Sequence, residues 1–146
     1  SEARELDWYM LQNPLNRGMH DFVGELLKTY RKYPCLYEID NDWLGFEWMN
    51  ADDKDRSIYS FVRRTRDGRQ HMLFVLNMTP VEYPDYKVGV PMNTKYKLLI
   101  NSDEERFGGA GHRVPKEIKA RKGKCDNRNQ YVVIPLPPLT GVVYLF

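Results

Sequence analysis

The chain has 146 residues, of which 42% are hydrophobic, so it can bury the core of one domain but not of two. Its 22 Lys and Arg nearly balance 20 Asp and Glu, and the net charge of +2 disfavours nucleic acid, whose binding is driven by a basic excess. No apolar run approaches the roughly 18–20 residues that span a bilayer, and the charged start SEARELDW does not resemble a signal peptide.

Two cysteines, Cys35 and Cys125, lie far apart in dissimilar contexts. They form neither a disulfide framework nor a metal-ligand spacing, which indicates a reducing compartment. We therefore expect a cytoplasmic protein without a membrane, nucleic-acid, metal or cofactor partner.

Two helices are predicted near the start. The first covers residues 3–12 (ARELDWYMLQ) and ends at the Asn-Pro and Arg-Gly breakers that follow. The second covers residues 19–33 and is bounded by Pro34, because apolar residues recur there at the spacing of one helical face. Those residues are Met19, Phe22, Val23, Leu26, Leu27 and Tyr30. Such a helical hairpin cannot bury its apolar face alone, so we expect its partner to lie outside this chain.

After about residue 38 the pattern becomes extended, and turn signals recur every ten residues or so, as in a sandwich or barrel. About eight strands are predicted, at residues 45–50, 57–64, 71–78, 86–90, 95–100, 115–120, 131–136 and 141–146. Asp67-Gly68 is a strong hairpin signal between the second and third. The glycine-rich residues 107–111 (FGGAG) are predicted to form a loop that needs backbone conformations only glycine adopts easily. The chain is thus mainly β, with helices and strands segregated.

A search for catalytic groups assigns none. Retaining sugar chemistry needs two carboxyl groups about 5 Å apart, but the acidic residues here lie in two hydrophilic turns, where we expect them to be solvated. They are Asp52, Asp53, Asp55, Asp103, Glu104 and Glu105. His20, His71 and His112 show no ligand pattern and are interpreted as structural or exposed. Cys35 is interpreted as a small buried hydrophobe.

Two groups of basic residues are interpreted as surface charge. One is Lys116, Lys119, Arg121, Lys122, Lys124 and Arg128, a solvated strand edge and loop that resist edge-to-edge pairing. The other is Arg63, Arg64, Arg66 and Arg69, which we expect to surround the hairpin tip and keep it soluble. The sequence Asn77-Met78-Thr79 matches a glycosylation sequon but is followed by Pro80, and a cytoplasmic chain would not be glycosylated.

The stretch DWLGFEWMNADD, residues 42–53, combines aromatic rings with carboxylates and amides. Carbohydrate sites use both, since a ring stacks on the apolar face of a sugar while polar groups bind its hydroxyls. By strand alternation, Phe46 and Trp48 share one face and Glu47 lies on the other. These residues alone leave two interpretations open: a hydrophobic core, or a platform for a ligand.

Six segments together carry a family resemblance. They are ARELDWYML, NRGMHDFVGELLKTYRKYPCLYEID, GFEWMNADDKDRSIYSFVRR, VLNMTPVEYPDYKVGVP, LLINSDEERFGGAG and IPLPPLTGVVYLF. The combination of Leu-Asp-Trp, Gly-Phe-Glu-Trp, Asn-x-Thr-Pro and Pro-Pro-Leu, in this order, resembles the C-terminal end of bacterial 1,4-α-glucan (glycogen) branching enzymes, members of the α-amylase superfamily. Residues 112–130 are the least similar part.

The resemblance implies a division near residue 38. Residues 1–38 look like the last helices of a catalytic (β/α) barrel, and residues 39–146 like the C-terminal all-β domain beside it, an antiparallel Greek-key sandwich. Branching enzymes cleave an α-1,4 bond and transfer the freed chain to a 6-hydroxyl by a retaining double displacement. Their three catalytic carboxylates lie on barrel strands, and no residue here matches them. The expected role is therefore non-catalytic: stabilising the missing barrel and binding α-glucan at the surface.

For glucan binding the resemblance favours Trp48 first and Trp43 second. The expected hydroxyl partners are Glu47, Asn50 and Asp52, and Trp8 is assigned to packing of the helices against the barrel. Two alternatives remain open. A self-standing carbohydrate-binding module would bind glucan tightly without a barrel, whereas a protein-interaction domain would oligomerise through its apolar helix face.

Overall fold

The computed structural model describes residues 5–146, which form one α-helix and nine strands. The elements are α1 Pro14–Lys32, β1 Phe46–Asn50, β2 Ile58–Arg64, β3 His71–Asn77, β4 Tyr83–Gly89, β5 Lys95–Asn101, β6 Glu117–Lys119, β7 Arg121–Cys125, β8 Arg128–Leu136 and β9 Gly141–Leu145. Short 3₁₀ helices cover Trp8–Gln12, Pro34–Leu36, Trp43–Gly45 and Glu105–Phe107. The prediction of a mainly β fold after a helical start is confirmed.

The strands form two antiparallel sheets. One has six strands in the order β1-β2-β3-β9-β5-β6, and the other has three in the order β4-β8-β7. Alternate residues of both sheets meet in the main core, and the fully buried ones include Val62, Leu73, Val75, Val88, Val132, Ile134 and Tyr144. Each such side chain contributes about 1.5–3 kcal/mol by leaving water, so this core is the principal source of stability.

A second, smaller core lies on the outer face of the six-stranded sheet. Cys35, Met72, Ile100 and Val143 are buried there, with Phe22 of α1 packed against them. The interpretation of Cys35 as a buried hydrophobe is confirmed, because the residue is fully buried and burial raises the pKa of its thiol to about 11. Helix α1 therefore covers part of the outer face of this sheet.

The prediction of two α-helices at the start is only partly right. Of the first predicted helix, residues 3 and 4 lie outside the described residues, and the ordered part is the 3₁₀ helix Trp8–Gln12. Asn13 is extended (φ −73°, ψ 125°), as expected before a proline, which ends that segment. Its side chain then caps α1 by accepting from the Leu15 N–H.

Helix α1 begins five residues earlier than predicted because Gly18 does not break it. Gly18 is buried against the 3₁₀ helix Glu105–Phe107, where an added Cβ would lie 2.7 Å from the Phe107 carbonyl carbon. The glycine therefore permits close contact between α1 and this loop. Just after Phe107, Gly108 and Gly111 have positive φ, which confirms the prediction for the glycine-rich loop.

Most of the predicted apolar face of α1 is open to solvent. Phe22 packs inward at 5.1 Å from the Phe107 ring, but five other members of that face are exposed: Met19, Val23, Leu26, Leu27 and Tyr30. Contiguous apolar surface of this kind marks a site of contact. No helix within residues 5–146 is long and apolar enough to cross a bilayer.

Strand β7 was not predicted, because its sequence RKGKC is mostly basic and lacks the apolar alternation of the others. It is one edge of the three-stranded sheet, as β6 is one edge of the six-stranded sheet. Charged side chains on such edges hinder pairing with another chain. The basic residues around β6 and β7 therefore occupy the positions where edge protection is needed.

The interpretation of Arg63 and Arg64 as solubilising charges at the hairpin tip is wrong, because Arg64 donates to the Leu44 carbonyl at 2.8 Å and pairs with Glu47, and Arg63 is bound as well. Arg63 donates to the carbonyl oxygens of Cys35, Leu36 and Ile39 and pairs with Asp40 at 3.1 Å. The segment after α1 has several carbonyls that need donors, and a guanidinium supplies five N–H groups. Arg63 thus attaches this segment to the six-stranded sheet, whereas Arg66 and Arg69 remain exposed at the turn.

Candidate functional site

Trp48 lies on the outer face of β1, which is one of the two edge strands of the six-stranded sheet. Its ring contacts Phe46 edge-on at 5.0 Å and Phe61 at 5.8 Å, with Tyr59 at 6.5 Å. The ring is nevertheless 48% exposed. Trp48 is therefore a surface ring held in place by aromatic neighbours.

An open groove beside β1 brings three of the predicted site residues together. Trp48, Asn50 and Asp52 line it, and Asp126 and Asn127 of the β7–β8 turn complete it, giving a volume of about 410 Å³. We call it the Trp48 groove. It joins the edges of both sheets through residues far apart in the sequence.

Asn50 and Asp126 hold the two sides of the Trp48 groove together. The Asn50 Nδ2 donates to Asp126 Oδ1 at 2.8 Å, and Asp126 Oδ2 accepts from the Gly89 N–H at 2.8 Å. Asn50 Oδ1 also accepts from the Asp52 N–H. Both side chains are therefore engaged in positioning the groove.

In contrast to Asn50 and Asp126, Asp52 and Asn127 have side chains that are open to solvent. Both residues are exposed, and neither side chain makes a hydrogen bond within the described part of the chain. They are available to accept from or donate to a ligand in the Trp48 groove. An exposed aromatic ring that shares a groove with an uncommitted carboxylate and amide suits a ligand with one apolar face and several hydroxyls.

The other two predicted binding residues do not share the groove. Glu47 lies on the opposite face of β1, as alternation predicted, and pairs with Arg64 at 3.3 Å and with Arg128. Its carboxylate is thus occupied in linking β1, β2 and β8. Trp43 is 78% exposed in its 3₁₀ helix and is absent from the groove lining.

Two carboxylates that we predicted from the sequence to be solvated are buried. The Asp53 side chain is only 6% exposed, accepting from the Tyr86 hydroxyl at 2.6 Å and from Arg56 Nε at 2.8 Å. Burial, and then the bond to Asp53, raise the pKa of the Tyr86 phenol, so it remains a donor. The hydrogen bonds from the phenol and the guanidinium thus offset the free-energy cost of burying this carboxylate.

The second is Asp103, which anchors the glycine-rich loop. Its carboxylate accepts from the Ala110 N–H at 2.9 Å, from the His112 N–H at 2.7 Å and lies 2.8 Å from His112 Nδ1. His112 is therefore part of the loop structure. His71 stacks on Phe146 at 5.1 Å, and burial followed by the nearby Arg64 lowers the pKa of its ring.

No three His, Cys, Asp or Glu side chains of residues 5–146 form a cluster able to hold a metal ion. The sequence reasoning missed Asp126 and Asn127, which have positive φ of 48° and 59° at the β7–β8 turn. Asp-Asn between two extended segments is a hairpin signal, because both residues tolerate that conformation. It could have revealed the hairpin, but not the contact with β1.

The sequence of the chain is similar to those of known proteins. A family model described as the α-amylase C-terminal all-β domain matches residues 48–146. The chain is 56% identical over its whole length to a 1,4-α-glucan branching enzyme of Butyrivibrio fibrisolvens. It is 39% identical over 94% of its length to the enzyme of that name from Geobacillus stearothermophilus, and 34% identical over 94% to that from Bacillus subtilis.

The chain is much shorter than these relatives. It spans 23% of the Butyrivibrio protein, 21% of the Geobacillus protein and 22% of the Bacillus protein. The similarity therefore concerns one part of each relative.

Proposed function

The chain belongs to the family of α-amylase C-terminal all-β domains, and from this we propose that it is the non-catalytic C-terminal part of a 1,4-α-glucan branching enzyme. The parent would transfer α-1,4-glucan chains to 6-hydroxyls and so form the α-1,6 branches of glycogen, by a retaining mechanism. Support comes from the 56% identity to a relative of that name. We propose that the boundary between the helical part, which would belong to the barrel, and the β-domain lies near residue 38.

The open face of α1 is the proposed contact with the rest of the parent. Its exposed apolar side chains have no covering element within residues 5–146, and Trp8 beside them is exposed as well. Burying this face against a barrel would remove it from water and stabilise both parts. The chain alone would then lack branching activity, and α-1,6 bonds formed from amylose by the isolated chain would contradict this proposal.

We further propose that the Trp48 groove binds α-glucan. The observation that carries this is the half-exposed Trp48 ring, fixed by Phe46 and Phe61 beside the free polar groups of Asp52 and Asn127. The ring would stack on the apolar face of one glucose unit, while the carboxylate and the amide bind hydroxyls. Because the ring is already fixed, little side-chain entropy is lost on binding.

Replacing Trp48 with alanine should weaken binding of maltoheptaose at least about tenfold, or about 1.4 kcal/mol, because the stacking surface is lost. The measurement is an NMR titration of the ¹⁵N-labelled chain. Each of its three tryptophans gives one indole N–H signal. We expect the Trp48 signal to move with added sugar in the unaltered chain, and the Trp8 signal to stay.

Trp43→Ala is the matched control, because Trp43 is even more exposed yet does not line the groove. This variant should bind like the unaltered chain. If Trp48→Ala keeps full affinity while Trp43→Ala loses it, the site lies at Trp43 and the assignment to the Trp48 groove is wrong.

A further inference from the structure

A second open cavity adjoins the Trp48 groove at the β7–β8 turn. It is lined by residues 124–129 and has a volume of about 490 Å³. We call it the turn cavity. It shares Asp126 and Asn127 with the Trp48 groove, so the two cavities adjoin at the turn. Each volume lies within the range of roughly 300–1,000 Å³ that is typical of ligand sites.

The side chains of the turn cavity divide into committed and free groups. Asp126 is bound to Asn50 and Gly89, and Arg128 is paired with Glu47. In contrast, three exposed residues make no side-chain hydrogen bond or ion pair within residues 5–146, and these are Lys124, Asn127 and Asn129. They carry donors and acceptors for neutral hydroxyls. With no aromatic ring in its lining, the cavity offers hydrogen bonds and no stacking surface.

The free groups are displayed from a rigid frame. Cys125 pairs with Arg128 across the turn, and the two residues between them have positive φ, as in the tight turns that fit the twist of a hairpin. Asp126 ties this turn to β1 through Asn50 and to β4 through Gly89. The distance between the turn and Trp48 is thereby fixed, which favours a ligand that contacts both.

We propose that the turn cavity takes further glucose units of the same α-glucan chain that stacks on Trp48. This inference rests on the proposed glucan binding in the Trp48 groove and extends it to a polymer path. The Trp48 groove supplies stacking, and the turn cavity supplies hydrogen bonds to hydroxyls of units further along the chain. Affinity should then grow with the length of a linear α-glucan, because only long chains reach both cavities.

The test compares maltotriose with maltoheptaose in binding titrations of the 146-residue chain. Two variants remove free groups that line the turn cavity and not the Trp48 groove: Lys124→Ala and Asn129→Ala. Each should weaken maltoheptaose binding roughly three- to tenfold, which is about 0.7–1.4 kcal/mol, while maltotriose binding changes less than about twofold. Trp48→Ala should weaken binding of both sugars.

Lys122→Ala is the control, since this exposed residue of β7 lies outside the turn cavity, and it should leave both affinities unchanged. Thermal unfolding of each variant confirms that it folds. Unchanged maltoheptaose affinity in Lys124→Ala and Asn129→Ala, with Trp48→Ala still weak, would overturn the extended path and leave the Trp48 groove intact. Equal weakening of both sugars would also overturn it, and full affinity in Trp48→Ala would overturn the proposed function itself.

Discussion

Replacing Asn77 with aspartate should lower the free energy of unfolding by about 3–5 kcal/mol at neutral pH, because the substitution buries an uncompensated charge. Asn77 is 1% exposed at the end of β3. Its Nδ2 donates to the carbonyls of Val81 and Pro137, both at 2.8 Å, and its Oδ1 accepts from the N–H and hydroxyl of Thr79. A carboxylate would face two carbonyl oxygens instead of donating to them.

Asn77→Ala should cost about 2–4 kcal/mol through loss of four hydrogen bonds worth about 1 kcal/mol each. Asn93→Asp is the control, because Asn93 is exposed and makes no side-chain hydrogen bond within residues 5–146. Chemical denaturation measures all three. If Asn77→Asp and Asn93→Asp differ by less than about 1 kcal/mol, the role assigned to Asn77 is wrong. These contacts also explain the sequon-like sequence, since the Asn77 amide is enclosed by two loops.

The sequence predicted the strands well wherever one face is buried. In β2, the inward Ile58 and Val62 alternate with outward residues, and the Asp67-Gly68 turn sets the hairpin to β3. The sequence predicted the secondary structure less well where contacts between distant segments determine the local conformation. Gly18 reads as a helix breaker until the loop at Phe107 is placed beside it.

The same limit applies to the candidate site. Alternation correctly separated Trp48 from Glu47, because it is a local property of a strand. The sequence could not show that Asp126 joins Asn50, since 76 residues separate them and the contact depends on how the two sheets pack. It also treated Asp53 and Asp103 as solvated, because a hydrophilic turn does not reveal whether donors converge on its carboxylates.

The role of each aromatic residue also depends on how the chain packs. Phe61 and Phe74 stack at 4.7 Å on the same face as Phe46 and Trp48. This aromatic band supports Trp48, while α1 and the segment after it cover another part of that outer face. The outer face of the six-stranded sheet thus carries both α1, whose open face is the proposed barrel contact, and the Trp48 ring of the proposed glucan site, which would hold a bound chain in a fixed relation to the barrel.

Replacing Asp103 with asparagine should lower the free energy of unfolding by about 2–3 kcal/mol at pH 7, because a charged acceptor of several hydrogen bonds is lost. Burial alone would raise the pKa of Asp103, but the hydrogen bonds from Ala110 and His112 outweigh it, and the pKa of the carboxyl is lowered from its ordinary value. The stabilisation is therefore complete above the ordinary pKa and is lost as pH falls through the lower pKa of the folded state.

The difference in stability between the unaltered chain and Asp103→Asn should accordingly be constant near neutrality and shrink in strong acid. Denaturation curves at a series of pH values measure it. Asp85→Asn is the control, because Asp85 is exposed and makes no side-chain hydrogen bond within residues 5–146. If Asp103→Asn lowers the free energy of unfolding no more than Asp85→Asn does, Asp103 does not anchor the glycine-rich loop. A cost that persists unchanged after the carboxylate is protonated would also contradict the anchoring role, because the donors of the glycine-rich loop would then not depend on its charge.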